Sequence, residues 1–89
     1  MINNFQINNI RIEGRGVIFT DEIGREHKIK FRTNKQGFAL IQYRGRCIFF
    51  KDLESSIVPY VRDGDKVRSL YGNECFELSS VSRDMFVRG

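Results

Sequence analysis

The stretch Phe38-Ala39-Leu40-Ile41-Gln42-Tyr43-Arg44-Gly45-Arg46-Cys47-Ile48-Phe49-Phe50-Lys51 decides how the chain folds. Two apolar runs flank Arg44-Gly45. A two-residue connection with glycine in second place marks a tight β-hairpin, so 38–43 and 46–51 are read as paired strands. Alternation leaves two assignments of their faces. In the first, Ala39, Ile41, Ile48 and Phe50 point inward, and Phe38, Phe49 and Lys51 point to solvent. In the second, Phe38, Leu40, Cys47 and Phe49 are inside, and Ile41, Ile48 and Phe50 are outside. The first creates a basic, aromatic surface over small and branched side chains that suit a tight barrel. It is the working assignment.

Outward from the hairpin, alternation and turn residues dominate and helical periodicity is scarce. Residues 5–7 and 10–12 alternate, Glu13 to Gly16 break the run, and Val17 to Thr20 form a short strand. Asp21 to Gly24 read as a type I turn. From His27 to Arg32, His27, Ile29 and Phe31 alternate with Lys28, Lys30 and Arg32. Thr33 to Gly37 form a polar turn. After the hairpin, Asp52 can cap one helical turn that Pro59 ends. Strands at 66–71 and 74–80 follow, separated by Gly72-Asn73. The tail from Val81 to Gly89 reads two ways: Met85, Phe86 and Val87 add either a strand or a half-turn that packs on the body.

The expected fold class is all-β: a small five- to six-stranded OB-like barrel at 27–80, with an extra N-terminal β-hairpin within 1–26 and a tail at 81–89. One domain would span 1–89. Closing the sheet removes exposed edges. The long connection at 52–64 favours an OB-fold over an SH3-like barrel counted from residue 5.

Charge is unevenly spread. The chain of 89 residues carries +4 overall. Residues 25–51 hold eight basic side chains and one acid, Glu26, for +7, whereas 1–24 carry −1 and 52–89 carry −2. Such a block is what a phosphate backbone docks on. No apolar run approaches the ~20 residues that cross a bilayer, and the first residues lack a signal-peptide pattern, so a cytoplasmic location without a membrane partner is expected. Cys47 and Cys75 are expected as free thiols, and two cysteines with one histidine are too few for structural zinc. No nucleophile–base set, GxxxxGK[ST] or HExxH is present. Neither a cofactor nor enzymatic activity is expected. His27 reads as a strand-surface residue, and Asp63 and Asp65 as turn formers.

Ile29-Lys30-Phe31-Arg32-Thr33-Asn34 followed by Gly37-Phe38-Ala39-Leu40-Ile41 resembles the opening of a cold-shock domain, V-K-W-F-N then G-F-G-F-I. Ile48-Phe49-Phe50-Lys51-Asp52 is similar to that family's V-F-V-H-F. Asp63-Gly64-Asp65-Lys66-Val67 resembles the lead-in to the fourth strand shared with S1 domains and bacterial translation initiation factor 1. The resemblance covers about 27–80. It implies a five-stranded OB barrel binding single-stranded RNA or DNA, with Phe31, Phe38 and Phe49 as stacking rings, Lys30 beside the first, and Lys51 at the family's histidine. This chain departs from the family at Phe31, Arg32, Ala39, Leu40 and Asp52, which removes about half of the aromatic platform.

The expected function is binding of single-stranded nucleic acid, RNA before DNA, with little sequence preference. The expected contacts are Lys28, Lys30, Phe31, Arg32, Lys35, Phe38, Arg44, Arg46, Phe49 and Lys51. One rival is a protein-interaction or inhibitor module that covers an acidic protein surface on a larger nucleic-acid machine. Another is a ribosome-associated OB protein resembling initiation factor 1. The expected state is a monomer or weak dimer.

Overall fold

The structure is a computed structural model, and it describes residues 6–89. Phe5, expected in the first alternating run, lies outside the described residues. The chain is all-β apart from one 3-10 turn, and it divides into two compact units, 1–31 and 32–89.

The first unit holds three strands in sequential antiparallel order: β1 (Asn8–Glu13), β2 (Gly16–Thr20) and β3 (Glu26–Lys30). Gly14-Arg15 joins the first pair. Gly16 is required because a Cβ there would stand 2.7 Å from the Ile29 carbonyl oxygen. Val17, Ile18 and Phe19 are all buried, as is Ile7. The β2–β3 turn closes as the sequence implies, with the Gly24 N–H donating to the Asp21 carbonyl (3.0 Å).

The second unit is a six-stranded antiparallel meander: β4 (Arg32–Thr33), β5 (Ala39–Tyr43), β6 (Arg46–Leu53), β7 (Ser56–Asp63), β8 (Lys66–Ser69) and β9 (Cys75–Glu77). The β5–β6 hairpin forms about Arg44-Gly45, both with positive φ, in the register Tyr43↔Arg46 to Leu40↔Phe49. A 3-10 turn, Leu78–Ser80, leads into the final segment.

Three expectations are corrected. Among the described residues β4 and β9 do not pair, so the second sheet is open and no barrel closes. The strand near 27–31 pairs with β2, so the units divide after Phe31, five residues beyond the expected boundary. The helical turn after Asp52 is absent: β6 continues to Leu53, Glu54-Ser55 turns, and β7 runs through Pro59. Pro59 stands opposite Phe50, and its carbonyl accepts the Leu70 N–H at 3.0 Å. Proline lacks an N–H, so the reciprocal bond from residue 59 to Leu70 cannot form, and the β7–β8 pairing ends there, with β8 stopping at Ser69.

The facing of the central hairpin is also corrected. Phe38 is 1% exposed and Phe49 is 0% exposed, while Ala39, Ile41, Ile48 and Phe50 are buried as well. Both alternations are inside. Ala39-Leu40-Ile41, Ile48-Phe49-Phe50 and Pro59-Tyr60-Val61 lie in register as three buried triplets across β5, β6 and β7. Unbroken apolar runs, rather than alternation, mark strands buried on both faces.

Candidate nucleic-acid interface

In the second sheet, Leu40, Phe49, Tyr60 and Val67 of β5 to β8 form a core with Phe38, Leu78 and Phe86. Phe86 comes from the final segment. It stacks on Phe49 (centroids 5.3 Å apart, 17° between planes) and meets Phe38 and Tyr60 edge-on (5.3 and 5.1 Å). The face on which the resemblance placed bases is therefore occupied by the chain's own ring. Phe38 and Phe49 are corrected from surface contacts to core residues: each buries a ring whose apolar area is worth ~2–3 kcal/mol out of water.

The remaining predicted contacts are distributed over both units. Lys28 and Lys30 project from alternate positions of β3 and are exposed, with Glu26 on the same side. Phe31 is half-buried, and its N–H donates to the Arg15 carbonyl (2.8 Å). Arg32 lies on edge strand β4 opposite Leu40 and is exposed. Lys35 is exposed in a turn built by Asn34, whose Oδ1 accepts the N–H groups of Gln36 (3.0 Å) and Phe38 (2.9 Å). Arg44 and Arg46 are exposed at the β5–β6 turn, with the Arg44 guanidinium 5.0 Å from the Tyr43 ring centroid. Lys51 is half-buried opposite Val58.

Ion pairs engage some of the cations in each sheet. In the first sheet, Arg11 bonds Glu13 (3.9 Å) and Glu26 (3.5 Å). In the second, Arg68 bonds Asp63 (3.7 Å). Lys28, Lys30, Arg32 and Lys35 are exposed and take part in no ion pair among the described residues. Four uncompensated positive charges thus fall within eight residues of chain.

Sequence reasoning missed two polar constructions. Asp21 is buried (2% exposed) at the β2–β3 turn. Its Oδ1 accepts the N–H groups of Ile23 (3.0 Å) and Arg25 (2.8 Å), and its Oδ2 lies 3.0 Å from His27 Nε2 and 3.4 Å from Arg25 Nε. The His27 bond holds the Asp21 carboxyl well below its ordinary pKa. Burial opposes this, while the two backbone N–H groups and the Arg25 charge reinforce it. His27 also stacks on Phe19 (5.2 Å). The aspartate-to-glycine turn was the only sequence signal for this cluster. Buried Tyr60 donates its hydroxyl to Glu74, which ties the β8–β9 loop to the core. Burial first, then the Glu74 carboxylate, pushes its pKa up to about 12.

Cys47 is half-buried on β6 and Cys75 exposed on β9, and both are free. Three strand spacings separate them, roughly 14 Å, beyond the reach of a disulfide. Burial raises the Cys47 thiol pKa, and the Arg62 charge opposes this. Among the described residues no group of three His, Cys, Asp or Glu side chains is placed to hold a metal ion, and no helix is long and apolar enough to cross a membrane.

Comparison with protein-family models, with curated proteins and with solved structures finds no match to this chain.

Proposed function

We propose that the protein binds nucleic acid through the phosphate backbone, with Lys28, Lys30, Arg32 and Lys35 as the principal contacts and Arg44 and Arg46 as additional ones. The observation that carries this reading is the set of exposed lysines and arginines at 28–35 without carboxylate partners. Releasing counterions from phosphates supplies sequence-independent affinity that falls steeply with salt. Base stacking on Phe38 and Phe49 is not part of the reading, because both rings are buried. Without a stacking platform, discrimination between single strands and duplex is small.

Fluorescence anisotropy with labelled single-stranded RNA, single-stranded DNA and duplex DNA across a salt series tests it. Four phosphate contacts predict a slope of log K against log salt of about −3.6 for duplex and about −2.8 for single strands. Lys28→Ala and Arg32→Ala should each flatten the slope by ~0.7–0.9. Failure of all three ligands to bind at ~50 mM salt would reject the reading.

One observation favours a second reading, an acidic protein surface as the partner. Among the described residues, Tyr71 is the only tyrosine or phenylalanine of the strongly exposed large hydrophobics (56%), so little on the described surface is suited to nucleobases. A pull-down that recovers an acidic protein through the same four cations, with no nucleic-acid binding, would select it.

A further inference from the structure

The β5–β6 ladder contains one interrupted rung. Its register runs Tyr43↔Arg46, Gln42↔Cys47, Ile41↔Ile48, Leu40↔Phe49. A two-residue turn makes Tyr43–Arg46 a hydrogen-bonded pair. Antiparallel alternation then makes Ile41–Ile48 and Ala39–Phe50 hydrogen-bonded pairs as well. At the last of these a third chain segment intervenes. The Ala39 N–H donates to the Val87 carbonyl (2.8 Å), and the Val87 N–H donates to the Phe50 carbonyl (2.8 Å). The segment continues alongside β5: Phe38 bridges Arg88, and the Gly89 N–H donates to the Gly37 carbonyl (2.9 Å). Gly37 leaves room for it, since a Cβ there would lie 2.6 Å from an Arg88 guanidinium nitrogen. Phe86 fills the space among Phe38, Phe49 and Tyr60.

This slot has two ways to satisfy its backbone. With the segment in place, Val87 bridges the rung. With the segment withdrawn, the Ala39 N–H and the Phe50 carbonyl are the two groups that the register pairs directly. Withdrawal therefore leaves an apolar cleft but does not orphan that donor and acceptor. The link to the rest of the chain is mostly exposed, with Val81 half-buried against the core. Ser79, Ser80, Ser82, Arg83 and Asp84 are exposed. Within the link, the Val81 N–H donates to the Leu78 carbonyl (3.3 Å) and the Met85 N–H to the Ser82 carbonyl (3.1 Å). The six residues 79–84 extend to roughly 20 Å.

We propose that the slot between β5 and β6 accepts the Met85–Gly89 segment of a second copy of this chain, with reciprocal exchange giving a two-fold dimer. The occupant is specified by what already fits: an identical segment makes identical contacts in the second molecule. The two states then differ only in the conformation of the link at 79–84 and in the entropy of association. The inference is independent of nucleic-acid binding.

Shortening the link tests it, because a link too short to fold back favours exchange. The chain lacking Ser82, Arg83 and Asp84 should elute as a dimer by size-exclusion chromatography with light scattering. A folded monomer would overturn the proposal. Native-state hydrogen exchange on the unaltered chain gives a second reading that needs no variant. Withdrawal exposes the Val87 and Gly89 amides while Ala39 stays paired, so Val87 should exchange at least ~100-fold faster than Ile41. Equal protection of Val87 and Ile41 would mean that the segment leaves only when the whole unit unfolds, which also overturns the proposal.

Discussion

Phe49 meets Phe86 face-on and Phe38 edge-on with no exposure to solvent. Truncating it opens a cavity in the second sheet, so Phe49→Ala should cost ~3–5 kcal/mol in a denaturant titration. Tyr60 gives a pH-dependent counterpart. Its folded pKa is raised from 10.0 to about 12, so the neutral hydroxyl stabilises the fold. That contribution is complete below pH 10 and is lost as pH rises towards 12. Tyr60→Phe should cost ~1–2 kcal/mol at neutral pH and flatten the alkaline loss of stability, read from melting temperatures. Asp21 has the opposite sign. Its folded pKa lies below the ordinary 3.8, so the carboxylate contributes fully above pH 4 and progressively less as pH falls below that value. Asp21→Asn should lower the melting temperature at pH 7 and reduce the slope of acid destabilisation.

Among the elements, the hairpins were the most legible in the sequence, because their turns carry local chemistry. Gly45 sits at φ +74 with no atom within 4 Å of a Cβ built there. Gly45→Ala should therefore cost ~1–2 kcal/mol through backbone strain alone, measured by thermal unfolding. The facing of β5 and β6 was misread because period-two reasoning assumes one wet side. The apolar triplets at 39–41, 48–50 and 59–61 held the correct signal, and they are visible without coordinates. The helical turn at 52–58 was inferred from a capping aspartate and a proline, yet Glu54-Ser55 makes a turn and β7 runs through Pro59 at the end of its pairing with the next strand. Nothing local in Met85-Phe86-Val87 indicates which strands they join, because that depends on contacts some forty residues distant in sequence.

Over the whole molecule, three of the four outer strands are short or irregular, and β3 is the regular one. β4 has two residues and β9 three. In β1 the register shifts between Asn8 and Arg11, where Asn9 adopts φ +53. Such devices discourage pairing at these edges. The basic block was readable from composition, and its lysines and arginines are mostly exposed as expected. For the aromatic half of the expected site, the triplet at 48–50 signals that Phe49 is buried, but the segment that covers Phe38 and Phe49 was not readable.

The central claim is that the Phe38–Phe49 face is core and that nucleic-acid affinity comes from the cations outside it. Phe49→Leu keeps the residue apolar and should cost roughly 1–2 kcal/mol, which leaves the protein folded. Anisotropy titration of this variant against single-stranded RNA, beside its unfolding midpoint, tests the claim most directly. The account predicts a lowered midpoint with affinity unchanged per folded molecule. An unchanged midpoint with affinity reduced ~10-fold or more would place Phe49 in contact with the bases and contradict it.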